Sequence, residues 1–414
     1  MIAVRFALAV ALALAAGLAI LSRLSKTRRS GPGAIGLGFF VGALATALWT
    51  HLLLWGHVPV TTLTVLMGPA LIAATGRRQF LRELAWSRPP IAALLIAPAA
   101  AFMVWGALST RSLGYDPDTM YLFRAKSIAH HGTFWNEDFT DPARLHLGHR
   151  RPLLLPAMVA DVALLSGSWN GRLIRLWFAL LQIAAFGGMY DALRRKIDAP
   201  AAALATAIYA WLPAHWHSHG GAVTGYADAP LAMIILFALT SEAPLAALLL
   251  TAGALLKDEG QAFLLPFALL RGWKPAVIPA AVAGAWLLTA RGLPLDGDYL
   301  PMNFLSPHVE HLPLILRKLG SEMITWKHWS LLWVGMFFVL GSRMRRLDRE
   351  ESRWLLVLAM QLAIYVVVWM TFPADQIRMA LRVQDMRLVL HVVPALWVWT
   401  ASCRQAAAPI ESPA

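Results

Sequence analysis

The sequence is poor in cysteine and in charge, and each scarcity excludes a class of protein. A single cysteine, Cys403, among 414 residues rules out an intrachain disulfide and a cysteine-rich metal site. Charged side chains make up 14% of the chain, where an ordinary soluble domain carries about 25%. Acidic residues are the scarcer sign: 23 Asp and Glu face 36 Lys and Arg, a formal net charge of +13. No zinc-finger, helix-turn-helix or aromatic-basic motif accompanies that positive charge, so no nucleic-acid partner is expected. Internal repeats and low-complexity tracts are also missing.

What the chain has in abundance is apolar sequence in long blocks. Hydrophobic residues reach 58%, and the mean hydropathy is +0.58. Blocks of this length, separated by short basic runs, are the pattern of membrane spans. The clearest cover 6–23, 33–54, 57–76, 89–109, 169–190, 275–291, 328–341, 354–371 and 388–402. Four shorter stretches, 200–213, 229–240, 244–256 and 261–270, cross only with polar flanking residues or against other helices. The fold class expected is therefore all-α, a polytopic transmembrane protein of about 13 spans. Several of the 18 tryptophans fall near span ends, where an amphipathic ring is comfortable.

Basic runs set the orientation. Lys26, Arg28 and Arg29 follow the first span; Arg77, Arg78, Arg82 and Arg88 follow the third; Arg194, Arg195 and Lys196 follow the fifth. Arg271, Lys274, Arg343, Arg345, Arg346, Arg349 and Arg404 continue the series. With all thirteen segments counted, every cluster lands on one side, which the positive-inside rule makes the cytoplasm. Arg5 is then outside. The opposite face receives the loop 110–168, the loop 214–228, the turn 257–260 and the loops 292–327 and 372–387. Within the first loop, 118–131 reads as an amphipathic helix. The apolar stretch 152–165 is expected to lie in the interface or dip without crossing, since a full crossing would invert every later basic run.

The outer face collects four polar constellations. Asp116 and Asp118 flank Pro117 directly after the fourth span, and Asp118 also suits a helix N-cap. Asp228, in Gly225-Tyr226-Ala227-Asp228-Ala229-Pro230, sits at a span mouth where a cap is again the plain explanation. Nearby His215, His217 and His219 have ligand spacing for a metal, though a polar rim around a cleft explains them as well. Lys257-Asp258-Glu259-Gly260 places three charges at a span end, a costly arrangement unless paired or wet. Arg378, Arg382, Gln384, Asp385 and Arg387 precede the last span, where external guanidinium groups suit phosphate oxygens or lipid headgroups.

Together these residues resemble the GT-C superfamily of polytopic glycosyltransferases, in particular a bacterial branch of it. Tyr115-Asp116 followed by Tyr121, Arg124, Ala125 and Lys126 is similar to the family's first-loop motif, with Asp116 in the catalytic aspartate position. His149-Arg150-Arg151-Pro152-Leu153-Leu154-Leu155-Pro156 resembles the next segment, except that Arg150 and Arg151 stand where Asp and Tyr are common. Tyr226 and Asp228 lie in a stretch like the second acidic loop, and Lys257 to Gly260 resembles the following one with Glu259 as its acid. Arg387-Leu388-Val389-Leu390-His391 is similar to the final motif, whose arginine meets the donor phosphate. The resemblance covers roughly residues 110–400.

It implies an inverting transfer of a sugar from a polyprenyl-phosphate-linked donor to a lipid, glycan or protein acceptor. Asp116 would be the general base, with Asp118 as an added acid. Arg387, helped by Arg382 or Lys257, would bear the charge on the leaving phosphate. Asp228 and Glu259 would orient sugar hydroxyls, and Asp118, Tyr121, Arg124, His149, Tyr226 and His391 would line the substrate. No cofactor is implied, and a divalent cation, used by only some branches, is not expected. The setting would be the bacterial inner membrane among its lipids, with the site facing the periplasm. Residues 1–88 would be N-terminal spans, 89–291 the catalytic core, 292–327 a loop covering the site and 328–414 the last spans. The alternative is a metal-dependent lipid-modifying transferase moving a phospho-headgroup, for which the three histidines speak. A transporter of lipid-linked substrate would need a continuous polar path, and the spans show none.

Overall fold

The computed structural model describes residues 1–27, 29–76, 91–109, 121–141, 143, 150–216, 221, 224–294, 307–374 and 376–403. Asp116, Asp118, His149, His217 and His219 lie outside them, as do Phe304 and Leu305 of the expected covering loop.

Regular structure among the described residues is helical. The first helices are α1 (Ile2–Leu24), α2 (Gly31–Trp55), α3 (Thr62–Ala74) and α4 (Ile96–Ser109), the last preceded by a 3-10 turn, Ile91–Leu95. The long first loop supplies α5 (Phe123–His131), a single turn α6 (Glu137–Thr140) and α7 (Leu154–Ser166). Next come α8 (Gly171–Arg194), α9 (Ala199–Ala210), α10 (Asp228–Thr240), α11 (Ala243–Leu256), α12 (Asp258–Arg271) and α13 (Val277–Ala290). The chain closes with α14 (Leu312–Met323), a single turn α15 (Trp326–Trp329), α16 (Leu332–Arg343), α17 (Arg349–Met370) and α18 (Ile377–Cys403). Six stretches among the described residues are long and apolar enough to cross a membrane, and the chain is membrane-embedded on that ground.

Helix starts follow local chemistry. Ser30 caps α2 by accepting from Gly33 N at 3.2 Å, with Pro32 in the first turn. Asp348 and Glu351 form a reciprocal capping box at α17. The last helix begins earlier than the sequence suggests: α18 starts at Ile377, so most of the expected loop 372–387 is helical. Its polar residues, Gln384 to Arg387, are satisfied by neighbouring helices, which lets the helix continue through them.

α1 packs along α2, α2 on α8, and α10 on α18. At the α1–α2 crossing, Gly17 faces Gly38 and Gly42, and a Cβ on Gly42 would collide with the Ala13 carbonyl. Small residues four apart allow this close approach of two backbones. Gly42→Val is accordingly expected to destabilise the protein by about 1–3 kcal/mol, read as a lowered melting temperature in detergent, whereas Gly335→Ala, inside a helix and meeting open space, should not lower it.

Basic residues from four of the basic runs, all among the described residues, meet at one end of the bundle. Arg29 donates to Asp191 at 2.8 Å, with both side chains buried. Thr27 donates to Glu242 at 2.6 Å, Arg195 to the Thr240 carbonyl at 3.1 Å, and Arg271 to the Leu239 carbonyl at 3.0 Å. Arg343 pairs with Glu351 at 3.8 Å. Arg5 is at the other end, donating to the Leu165 carbonyl at 3.2 Å.

Helix α7, the stretch expected to lie in the interface or to dip without crossing, is buried along nearly its whole length against α1, α2 and α5. Near its ends Arg150 donates to Leu293 O and Thr62 donates to Leu164 O, and its one acid, Asp161, accepts from the Thr50 hydroxyl at 2.6 Å. A helix that is apolar apart from Asp161 and Ser166 buries more surface packed among helices than lying at an interface, which is why the interior wins.

Candidate functional site

At the end opposite the basic clusters, three segments distant in sequence converge on Asp228. This residue opens α10, but its side chain makes no capping bond. Its carboxylate, fully buried, turns to the neighbouring helices instead. Oδ1 accepts from Lys257 Nζ at 2.6 Å and from His391 Nε2 at 3.0 Å, and Oδ2 accepts from Arg387 Nε at 3.1 Å. The capping explanation for Asp228 therefore fails.

Lys257 sits in the extended link between α11 and α12. Its ammonium also lies 2.8 Å from Glu259 Oε1. Burial opposes the charged form of both groups, yet Asp228 and Glu259 raise the Lys257 pKa above its ordinary value, and Lys257 with His391 lowers that of Glu259. Both are charged near neutral pH. The link can turn this tightly because Gly260 lies against the Gly253 carbonyl, where any Cβ would clash.

Arg387 stacks its guanidinium 4.5 Å from the centre of the Tyr226 ring. Tyr121 is buried. Of the residues singled out from sequence, Asp228, Tyr226, Lys257, Glu259, Arg387 and His391 thus form one assembly. Glu259 is its most accessible acid, with its side chain 24% exposed.

Arg124 and Arg382 have other positions. Arg124 is buried in the first loop, donates to the Arg151 carbonyl at 2.6 Å and lies over Phe139. Arg382 is exposed and has no described contact with the cluster. Five residues before Arg387 on one helix, it leaves the helix about 140° away from it. Asp385, expected beside Arg382, pairs with Lys318 of α14 at 3.0 Å. His215 is buried between Tyr209 and Phe186, an aromatic setting rather than a ligand's.

Two members of the assembly went unnoticed in the sequence. Gln361 and Tyr365 lie one turn apart on α17. Gln361 Nε2 donates to the Tyr365 hydroxyl at 2.7 Å, and that hydroxyl lies 2.8 Å from His391 Nδ1. The chain of bonds assigns the His391 proton to Nε2, facing Asp228. Gln361 also donates to the Glu259 carbonyl at 3.2 Å, tying α17 to the Lys257 link. The signal was present as two polar residues at helical spacing inside an otherwise apolar run.

Chemically, the assembly offers two fixed cations beside two carboxylates, with a histidine relay behind them. Such a set suits an anionic oxygen carried by a polyhydroxylated group. No protein-family model matches the sequence, and no curated protein matches it.

Proposed function

We propose that the chain is an inverting GT-C-type glycosyltransferase of thirteen spans, using a polyprenyl-phosphate-linked sugar on the periplasmic face of the inner membrane. The observation that carries it is the convergence of Asp228, Lys257, Glu259, Arg387 and His391, from three motifs, on one buried ion cluster. The cluster lies at the end of the bundle opposite the basic runs, in keeping with an external site.

In this mechanism Lys257 and Arg387 meet the donor phosphate and stabilise charge as the polyprenyl phosphate leaves. Asp228, with its oxygens already taken by three donors, positions those cations instead of acting as a base. Glu259 orients sugar hydroxyls. Asp116 takes the proton from the acceptor hydroxyl as it attacks the anomeric carbon. An apolar cavity of about 600 Å³ between α9, α16 and α18, lined by Leu204, Ile208, Trp211, Trp329, Leu332 and Trp397, is of a kind that takes an isoprenoid tail. Trp329 is held there by its indole N–H donating to Glu322 Oε1 at 2.9 Å.

The test is sugar transfer from a panel of radiolabelled polyprenyl-phosphate sugars into membrane lipids, glycans and proteins from the native envelope. One donor is expected to support transfer, and Asp116→Asn to reduce it about 10²-fold with folding intact. Transfer that survives the substitution would move the base elsewhere. A complete panel containing the native acceptor and giving no transfer would sink the assignment.

A further inference from the structure

The connection between α13 and α14 contains a short turn that the ion cluster does not use. Residues Val309–His311 form a 3-10 turn. With three residues per turn, positions three apart eclipse, which brings His308 and His311 together. Their rings are stacked with centroids 5.0 Å apart. Glu310 Oε1 lies 2.9 Å from His308 Nδ1. One ligand atom from each of the three residues lies within 4.8 Å of the others.

Two further observations distinguish this turn from a chance surface grouping. His311 is only 7% exposed, and its Nδ1 has no hydrogen-bond partner among the described residues. A buried imidazole nitrogen without a partner is costly, and a bound cation would satisfy it. The backbone is also fixed: His308 N donates to the Met370 carbonyl at 2.8 Å, at the end of α17, and His311 N donates to the His308 carbonyl at 3.0 Å.

We propose that His308, Glu310 and His311 form a binding site for a divalent transition-metal cation, best suited to zinc. Two imidazoles and one carboxylate are a nitrogen-rich donor set that calcium and magnesium do not favour. Three protein ligands leave a fourth tetrahedral position for water or an anionic oxygen. With zinc–nitrogen bonds of about 2.0–2.1 Å, tetrahedral ligand atoms lie about 3.4 Å apart. The 2.9 Å pair of His308 and Glu310 must therefore open slightly and adjust to His311, and both can move, being 41% and 68% exposed at the side chain. Bound there, the ion would tighten the turn that leads into α14, which the His308 N–H already ties to the Met370 carbonyl at the end of α17. This site does not depend on sugar transfer and stands or falls separately from it.

Zinc chloride is the probe. The full chain in detergent, stripped with a chelator and dialysed, is titrated with zinc against a chromophoric competitor, and bound metal is counted by mass spectrometry after gel filtration. One zinc per chain is expected. Affinity should fall about tenfold or more in His308→Ala and in Glu310→Gln, both changes at exposed positions that leave the fold intact. Zinc should raise the melting temperature of the wild type and not of His308→Ala. Wild-type affinity equal to that of both variants would mean adventitious binding at other members of the chain's 13 histidines, and would overturn the proposal.

Discussion

Asp228→Asn is expected to lower the unfolding free energy by about 3–5 kcal/mol and sugar transfer by about 10³-fold or more. The substitution is nearly isosteric, so the loss comes from charge. In the wild type one buried carboxylate answers Lys257, Arg387 and His391. An amide cannot accept from three donors, and it leaves two cations facing each other with Glu259 as the remaining acid. Removing one partner of a buried ion pair is far worse than removing both, because the survivor stays desolvated and unpaired. The double variant Asp228→Asn/Lys257→Met should therefore recover part of the lost stability while transfer stays low. Thermal unfolding in detergent, run beside the transfer assay, measures both. A single variant as stable as the wild type would show that the cluster is wet and weakly coupled. A double variant less stable than either single would show that Lys257 has other partners that matter more.

How much of this was legible in the sequence depended on the range of the interaction. Helix positions followed from apolar blocks, including the short ones at α9 to α12, because burial against lipid or neighbours acts residue by residue. The sidedness of the basic runs was legible for the same reason, and their meeting through Asp191, Glu242 and Glu350 at one end is the structural counterpart. Motif resemblance brought out Asp228, Lys257, Glu259, Arg387 and His391 as separate points. It could not say that Asp228 is the hub, since that depends on α10, α12 and α18 sharing an end. Gln361 and Tyr365 were hidden because a glutamine and a tyrosine in a span change its hydropathy little. Arg382 was offered with Lys257 as support for Arg387; the structure brings Lys257 to Arg387's partner Asp228, while Arg382, five residues before Arg387, faces another direction on the helix. The burial of α7 rests on contacts with α1, α2 and α5 that only the fold brings together, and the stacked histidines at 308 and 311 needed the turn to be seen in place.

Arg387→Lys is the second substitution expected to have a large effect, about 10³-fold on transfer, and it separates charge from geometry. Lysine keeps the positive charge but loses the planar fork. In the wild type Nε is committed to Asp228 at 3.1 Å while the guanidinium face lies on Tyr226, so two contacts fix its plane at once. A lysine ammonium can answer Asp228 or reach toward a phosphate, but it cannot be held against the ring while doing both. Stability should fall less than in Asp228→Asn, because the carboxylate retains Lys257 and His391. The kinetic form of the loss is also specified. A phosphate contact that strengthens as the leaving group departs lowers kcat, whereas one equal in the ground and transition states raises KM alone. The expectation is a fall in kcat with KM for the donor changed much less. Arg382→Lys, at an exposed site facing another direction, is the matched control and should leave both unchanged. Transfer by Arg387→Lys at the wild-type rate would remove Arg387 from the chemistry and leave Lys257 as the cation that meets the phosphate.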